Sequence, residues 1–121
     1  MRLIQLALPH LKACGDGRVI NVASLSGKRV KNANVGYAMS KFAMMALTQA
    51  VRREGGDHGV RAIALCPGFV ATDMTAHVAD FPREQMIDAQ DLAILAETVL
   101  RLPNNATVAE LLVNCRFEDM L

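Results

Sequence analysis

The feature that most constrains this chain is the form of three short apolar runs: Val19-Ile20-Asn21-Val22-Ala23, Ala62-Ile63-Ala64-Leu65-Cys66 and Leu111-Leu112-Val113. A strand with one wet face alternates apolar and polar residues, and these runs do not. They read as short strands buried on both faces, the condition of a parallel sheet covered by crossover helices. The segments between them carry helical periodicity and are long enough for such crossovers. The expected class is α/β, a parallel sheet of about three strands.

The apolar positions of Met1–Ala13 (1, 3, 4, 6, 7, 8 and 11) form a wide helical stripe, with Pro9 as the one residue expected to disturb it. Cys14-Gly15-Asp16-Gly17 closes that helix, and Arg18–Ala23 is the first strand. A polar, Gly-containing loop, Ser24–Gly36, leads to the longest helix, Tyr37 to about Glu54, stopped by Gly55-Gly56. The second strand, Val60–Cys66, is broken by Pro67-Gly68. Thr72–Met86 reads as irregular or partly helical, Asp88–Leu102 as a helix and Ala109–Cys115 as the last strand. The pattern opens on a helix, so the strand at 18–23 is expected at an open sheet edge. An intact domain covers such an edge, which predicts a further part of the fold in front of this helix.

Composition narrows the function. The chain is 52% apolar and 21% charged over 121 residues, a globular composition of at most one domain. Thirteen Lys+Arg face 12 Asp+Glu, and the basic residues are scattered, so neither nucleic acid nor a membrane surface is expected as partner. The adjacent pairs Lys28-Arg29 and Arg52-Arg53 read as solvated faces. Cys14, Cys66 and Cys115 are widely spaced, and the latter two close apolar runs; they read as small buried hydrophobes in a reducing compartment. No run approaches the ~18 apolar residues of a membrane span, and the start lacks a signal peptide's pattern. The expected location is cytoplasmic. His10, His58 and His77 stand alone, so no metal site is expected.

Tyr37 and Lys41, four apart at the start of a helix, share one face. A phenol with the ordinary pKa of ~10 is a poor proton carrier at neutral pH, and an ammonium nearby favours its anion. That pairing suits acid/base chemistry at a carbonyl. Thirteen residues before Tyr37, Ser24 follows the first strand, at the carboxyl end where α/β sheets bind ligands. A hydroxyl there can donate to an oxygen on which negative charge develops. Ser26 is the neighbouring alternative, better suited to holding the loop. After the second strand comes Pro67-Gly68-Phe69-Val70-Ala71-Thr72, a second loop at a carboxyl end. Ser24, Tyr37 and Lys41 are therefore expected to converge at the carboxyl ends of the strands at 18–23 and 60–66.

Taken together, Gly17-Arg18-Val19-Ile20-Asn21-Val22-Ala23-Ser24, Tyr37-Ala38-Met39-Ser40-Lys41 and Pro67-Gly68-Phe69-Val70-Ala71-Thr72-Asp73-Met74 resemble the classical short-chain dehydrogenase/reductase family, over essentially the whole chain. The resemblance implies the C-terminal half of a Rossmann-like doubly wound parallel sheet. It also implies an oxidoreductase that reduces carbonyls or oxidises alcohols with NAD or NADP. Tyr37 would be the general acid/base, Lys41 would hold the ribose hydroxyls of the cofactor and tune Tyr37, and Ser24 would orient the substrate oxygen. Pro67, Gly68, Val70 and Thr72 would line the nicotinamide.

The departures carry equal weight. The family's glycine-rich phosphate loop is absent: Gly15-Asp16-Gly17 precedes a strand and opens no helix. The Asn-Asn-Ala-Gly segment and the helical asparagine are absent too. Residues 1–121 are thus expected to be a partial domain, the catalytic half without its dinucleotide-binding half, and inactive alone. The alternative is a non-catalytic assembly or binding module derived from such an enzyme. The resemblance also implies a homo-oligomer through the helices at 1–13 and 37–54.

Overall fold

A computed structural model describes residues 1–118 and 121 of the chain. The expected alternation is present: α1 (Arg2–Cys14), β1 (Arg18–Val22), α2 (Val35–Gly55), β2 (Arg61–Pro67), α3 (Ala89–Leu100) and β3 (Glu110–Val113). The strands form one parallel sheet in the order β1-β2-β3. Val19 is paired with Ala62, Val22 with Leu65 and Cys66 with Leu112. Among the described residues, nothing pairs with the outer edge of β1.

Strand alternation divides the core. Ala62, Ala64 and Cys66 of β2 face α1 and α2, in two clusters. In one, Val51, Val60 and Ala62 meet Ile4, Leu8 and Leu11 of α1 with Val19 and Leu47. In the other, Ala64 and Cys66 meet Ala23, Leu25 and Met45, with Met44 and Leu112 against them. Ile63 and Leu65 must then project to the opposite face, and both are buried there. β2 is covered on both sides, as its unbroken apolar run requires. On that second face the end of β1 is different: Val22 is 57% exposed.

Several boundaries move. Pro9 stays inside α1, on a water-facing position where the carbonyl it frees, that of exposed Gln5, can bond to solvent. α2 begins two residues earlier than Tyr37, because the Asn34 side chain caps it by accepting from the Tyr37 N–H at 3.3 Å. The last strand is shorter than Ala109–Cys115, ending at Val113. The segment 72–86 contains two single 3-10 turns, Asp73–Thr75 and Arg83–Gln85. Among the described residues no helix is long and apolar enough to cross a membrane.

Candidate functional site

Two loops leave adjacent strands at their carboxyl ends. The first starts at Ala23, whose N–H still donates to the Leu65 carbonyl at 2.7 Å. Ser24 continues in extended conformation and caps a 3-10 turn, Leu25–Gly27, its Oγ accepting the Ser26 N–H at 3.1 Å. This bond uses an oxygen lone pair and leaves the Ser24 O–H free to donate elsewhere. Ser26 thus serves through its backbone, as a holder of Ser24. Leu25 is an anchor, fully buried in the core cluster with Met45 and Cys66. Gly27 lies so close to α2 that a Cβ there would stand 2.8 Å from the Lys41 carbonyl oxygen. The turn that carries Ser24 is therefore packed directly on the helix turn that carries Lys41.

Lys41 joins the parts. Its Nζ donates to the Val22 carbonyl at 3.3 Å, at the end of β1 two residues before Ser24. The same Nζ stands 5.6 Å from the centre of the Tyr37 ring, within cation–π reach. Both side chains are half-buried. An ammonium has three N–H donors, so Lys41 can bond Val22 and keep two for other acceptors.

The second loop starts at Pro67, the last residue of β2, and is tied to β3 through Gly68, whose N–H donates to the Val113 carbonyl at 2.9 Å. A Cβ on Gly68 would meet Leu25 at 3.5 Å and Cys115 at 3.7 Å, so the two loops lie side by side. Val70 forms a parallel bridge with Ile87, made by Ile87 N–H to Phe69 O and Ala71 N–H to Ile87 O, both 2.9 Å. In that pattern the Val70 N–H and C=O point away from Ile87. Its carbonyl takes the Thr75 hydroxyl at 2.5 Å, and its N–H has no partner among the described residues. The Thr72 backbone is occupied locally. Its N–H donates to Thr75 Oγ1 and its carbonyl accepts from Thr75 and from Arg83 Nη1. No hydrogen bond links Thr72 to Ser24, Tyr37 or Lys41.

Other groups of the site were not legible as such. Lys28 and Arg29 are not a solvated face: Lys28 pairs with Glu110 of β3 at 2.7 Å, and Arg29 pairs with Glu118 at 2.5 Å. The Arg29 and Glu118 side chains are only 10% and 8% exposed. Burial acts to raise the Glu118 carboxyl, but its hydrogen bonds with Arg29 and Lys31 outweigh this and hold it below the ordinary carboxylate value. Cys66 is fully buried and burial pushes its thiol up, which suits an inert core residue. Cys115 is half-buried and Cys14 is exposed, so the reading of buried cysteines holds fully only for Cys66. Among the described residues no group of three or more His, Cys, Asp or Glu could hold a metal.

The family profile described as short chain dehydrogenase matches residues 1–83. The chain belongs to the short-chain dehydrogenase family. Among curated relatives, an agropine synthesis reductase of Rhizobium rhizogenes is 43% identical over 120 residues, 99% of this chain but 28% of that protein. An uncharacterized oxidoreductase of Staphylococcus epidermidis is 32% identical over 93% of this chain and 49% of its own length. Among solved structures, a betaketoacyl-[ACP] reductase from Bacteroides thetaiotaomicron superposes with a TM-score of 0.76 at 29% identity, covering 93% of this chain and 46% of that one. An alcohol dehydrogenase from the archaeon Thermococcus sibiricus, complexed with 5-hydroxy-NADP, superposes at 0.78 with 28% identity, covering 92% of this chain and 46% of that one. This short-chain dehydrogenase chain thus spans about half or less of the relatives it matches, and it shares their Rossmann-like parallel sheet.

Proposed function

We propose that residues 1–121 carry the proton-transfer half of an NAD(P)-dependent carbonyl reductase or alcohol dehydrogenase, with Tyr37, Lys41 and Ser24 as the reacting set. The observation that carries this reading is the position of the Lys41 ammonium, which bonds the end of β1 next to Ser24 and stands over the Tyr37 ring. Tyr37 gives its hydroxyl proton to a ketone oxygen, or takes one from an alcohol. Lys41 favours the phenolate that this transfer creates. Ser24 donates its free O–H to the same substrate oxygen.

The donor set also fits the nicotinamide end of a dinucleotide. The two spare N–H groups of Lys41 suit ribose hydroxyls, and the unpartnered Val70 N–H suits an amide oxygen beside the Pro67-Gly68 turn. The Thr72 hydroxyl completes that loop. When bound, NAD or NADP supplies or accepts the hydride. The rest of a dinucleotide's grip comes from a glycine-rich turn opening a helix after a strand, and this sequence contains none. The 121 residues alone are thereby a weak NAD(P) binder and inactive, a partial domain whose partner half supplies the phosphate site. Its substrate is a small carbonyl or alcohol compound.

Calorimetric titration of NADH and NADPH into the chain tests the incomplete site: the expected result is no micromolar binding, and micromolar binding refutes it. The reacting set is tested by fusing residues 1–121 behind the front half of the Bacteroides reductase. There Tyr37→Phe is expected to lower the rate by about 10²–10⁴-fold. Retained activity would refute the role of Tyr37.

We also propose that the chain self-associates through α1 and α2. Leu3 and Leu6 of α1 are 79% and 63% exposed, outside the stripe that packs on the core, and Met39 and Phe42 of α2 are exposed too. Apolar surface of this kind is covered by another chain in soluble proteins. The same faces favour the alternative reading of an assembly module. Light scattering at micromolar concentration should give a dimer or larger; a monomer refutes the interface.

A further inference from the structure

The segment after β3 touches both loops of the site. At one end, Cys115 lies against Gly68, and the Arg116 guanidinium stands 4.9 Å from the centre of the Phe81 ring. Phe81 in turn packs on Phe69 at 5.3 Å, so this end rests on the loop that follows β2. At the other end, Glu118 bonds Arg29 Nη2 at 2.5 Å and Lys31 Nζ at 3.1 Å, so this end rests on the loop that follows β1. From Lys31 a short relay runs to the catalytic helix. The Asn32 side chain accepts from the Asn34 N–H at 3.0 Å, and the Asn34 side chain accepts from the Tyr37 N–H.

We propose that Cys115–Glu118 is a clasp that sets the separation of the two site loops, with Glu118 as a positioning residue acting through Arg29 and Lys31 on the helix start that bears Tyr37. This deepens the reading of Tyr37 as the acid/base. The energetics are one-sided. Among the described residues the buried Arg29 guanidinium has no side-chain partner but Glu118, and its Nε has none at all. Loss of the Glu118 charge therefore leaves a buried cation unpaired, a costlier state than either the pair or its absence. The loop relieves that state by swinging Arg29 into water, which draws residues 29–34 off the site. Tyr37 does not touch Glu118, so any effect on it must travel through the loop.

The chain contains one tyrosine and no tryptophan, so its tyrosine emission reports Tyr37 alone, whether or not any reaction proceeds. In Glu118→Gln, acrylamide quenching of that emission is expected to rise. Tryptic cleavage after Lys31 should accelerate about tenfold, since cleavage tracks the population of the opened loop. The doubly apolar chain, Arg29→Met with Glu118→Met, which leaves no buried charge unpaired, should restore both readouts. Glu97→Gln, which breaks an exposed pair with Arg101 at the end of α3, should move neither. If Glu118→Gln loses its helical circular dichroism, Glu118→Asp replaces it and is expected to raise quenching in an intact fold. Unchanged quenching in the folded variant, or a rise that the double apolar substitution does not reverse, overturns the clasp. Failure of Tyr37→Phe to slow the fused enzyme would instead overturn the catalytic reading and leave the clasp standing.

Discussion

The two loops at the carboxyl ends of β1 and β2 lie against each other but are held by different forces. The first is fixed by the core. Leu25 is buried between β2 and α2, Gly27 is pressed on the Lys41 carbonyl, and Lys28 and Arg29 are held by ion pairs to distant segments. The second, from Pro67 to Ile87, is held mainly by itself: the Val70–Ile87 bridge, the Thr72–Thr75 hydrogen bonds and the Phe69–Phe81 stack. Phe69 and Met74 on it are exposed. A site built this way has one rigid wall, bearing the groups proposed for proton transfer, and one wall whose form is local. Catalytic groups need placement within fractions of an ångström. A wall facing a cofactor and a variable substrate can be remodelled without disturbing the core.

The largest break in that comparison is Gly27→Ala. The added methyl would stand 2.8 Å from Lys41 O and 3.0 Å from Met45 Cγ. The carbonyl belongs to a helix and cannot yield, so the turn must lift off α2. Overpacking of this kind costs about 1–3 kcal/mol. The melting temperature should fall by roughly 5–10 °C for a chain of this size, with Tyr37 emission changing as the wall separates. A melting curve superimposable on that of the parent chain would remove the claim that the first loop is fixed by packing.

What was legible follows the same division. The strands, the place of Ser24 just after β1 and that of Tyr37 and Lys41 on α2 could be read because each depends on local sequence: an apolar run, the residue that ends it, a four-residue helical spacing. Asn34 was also local, an ordinary N-cap signal three residues before Tyr37, and recognising it would have placed the start of α2 correctly. Arg29 was not readable. Its partner Glu118 lies 89 residues away, and a basic pair with no nearby acid looks solvated until the fold brings β3 and its tail across. For Thr72 the sequence pointed to the hydroxyl; that its backbone is spent on its own turn could not be read from the motif.

A smaller effect separates the loops by pH. The Glu118 carboxyl is held below its ordinary value of 4.5 in the folded chain. A depressed carboxylate contributes stability that is fully present above the unfolded value and is lost as pH falls through the folded one. The first loop should therefore loosen only below pH 4.5, with more Tyr37 quenching there. The hydroxyl and amide bonds of the second loop do not titrate in that range. In Glu118→Gln the melting temperature should lie below that of the parent at neutral pH, and the gap should close in acid. A gap independent of pH would show that the Glu118 charge is not what holds the loop.

The smallest effect on stability, and the sharpest contrast with Gly27, is expected for Gly68→Ala. A Cβ at Gly68 meets nothing closer than 3.5 Å, an ordinary van der Waals contact. Its backbone does not lie in the left-handed region, so alanine is accommodated without strain and reduces the entropy of the unfolded chain. Such a substitution is neutral or slightly stabilising, by about 0.4–1 kcal/mol. The methyl would nonetheless stand in the turn proposed to approach the nicotinamide. In the fused enzyme, Gly68→Ala should therefore keep the melting temperature of the unliganded protein while raising the KM for NADH or NADPH about tenfold, equivalent to ~1.4 kcal/mol of lost binding. Gly27→Ala should show the reverse order, with stability lost first and cofactor affinity only as a consequence. If Gly68→Ala instead lowered the melting temperature as much as Gly27→Ala, the second loop would be part of the packed wall. If it changed neither stability nor KM, the Pro67–Thr72 turn would not face the cofactor.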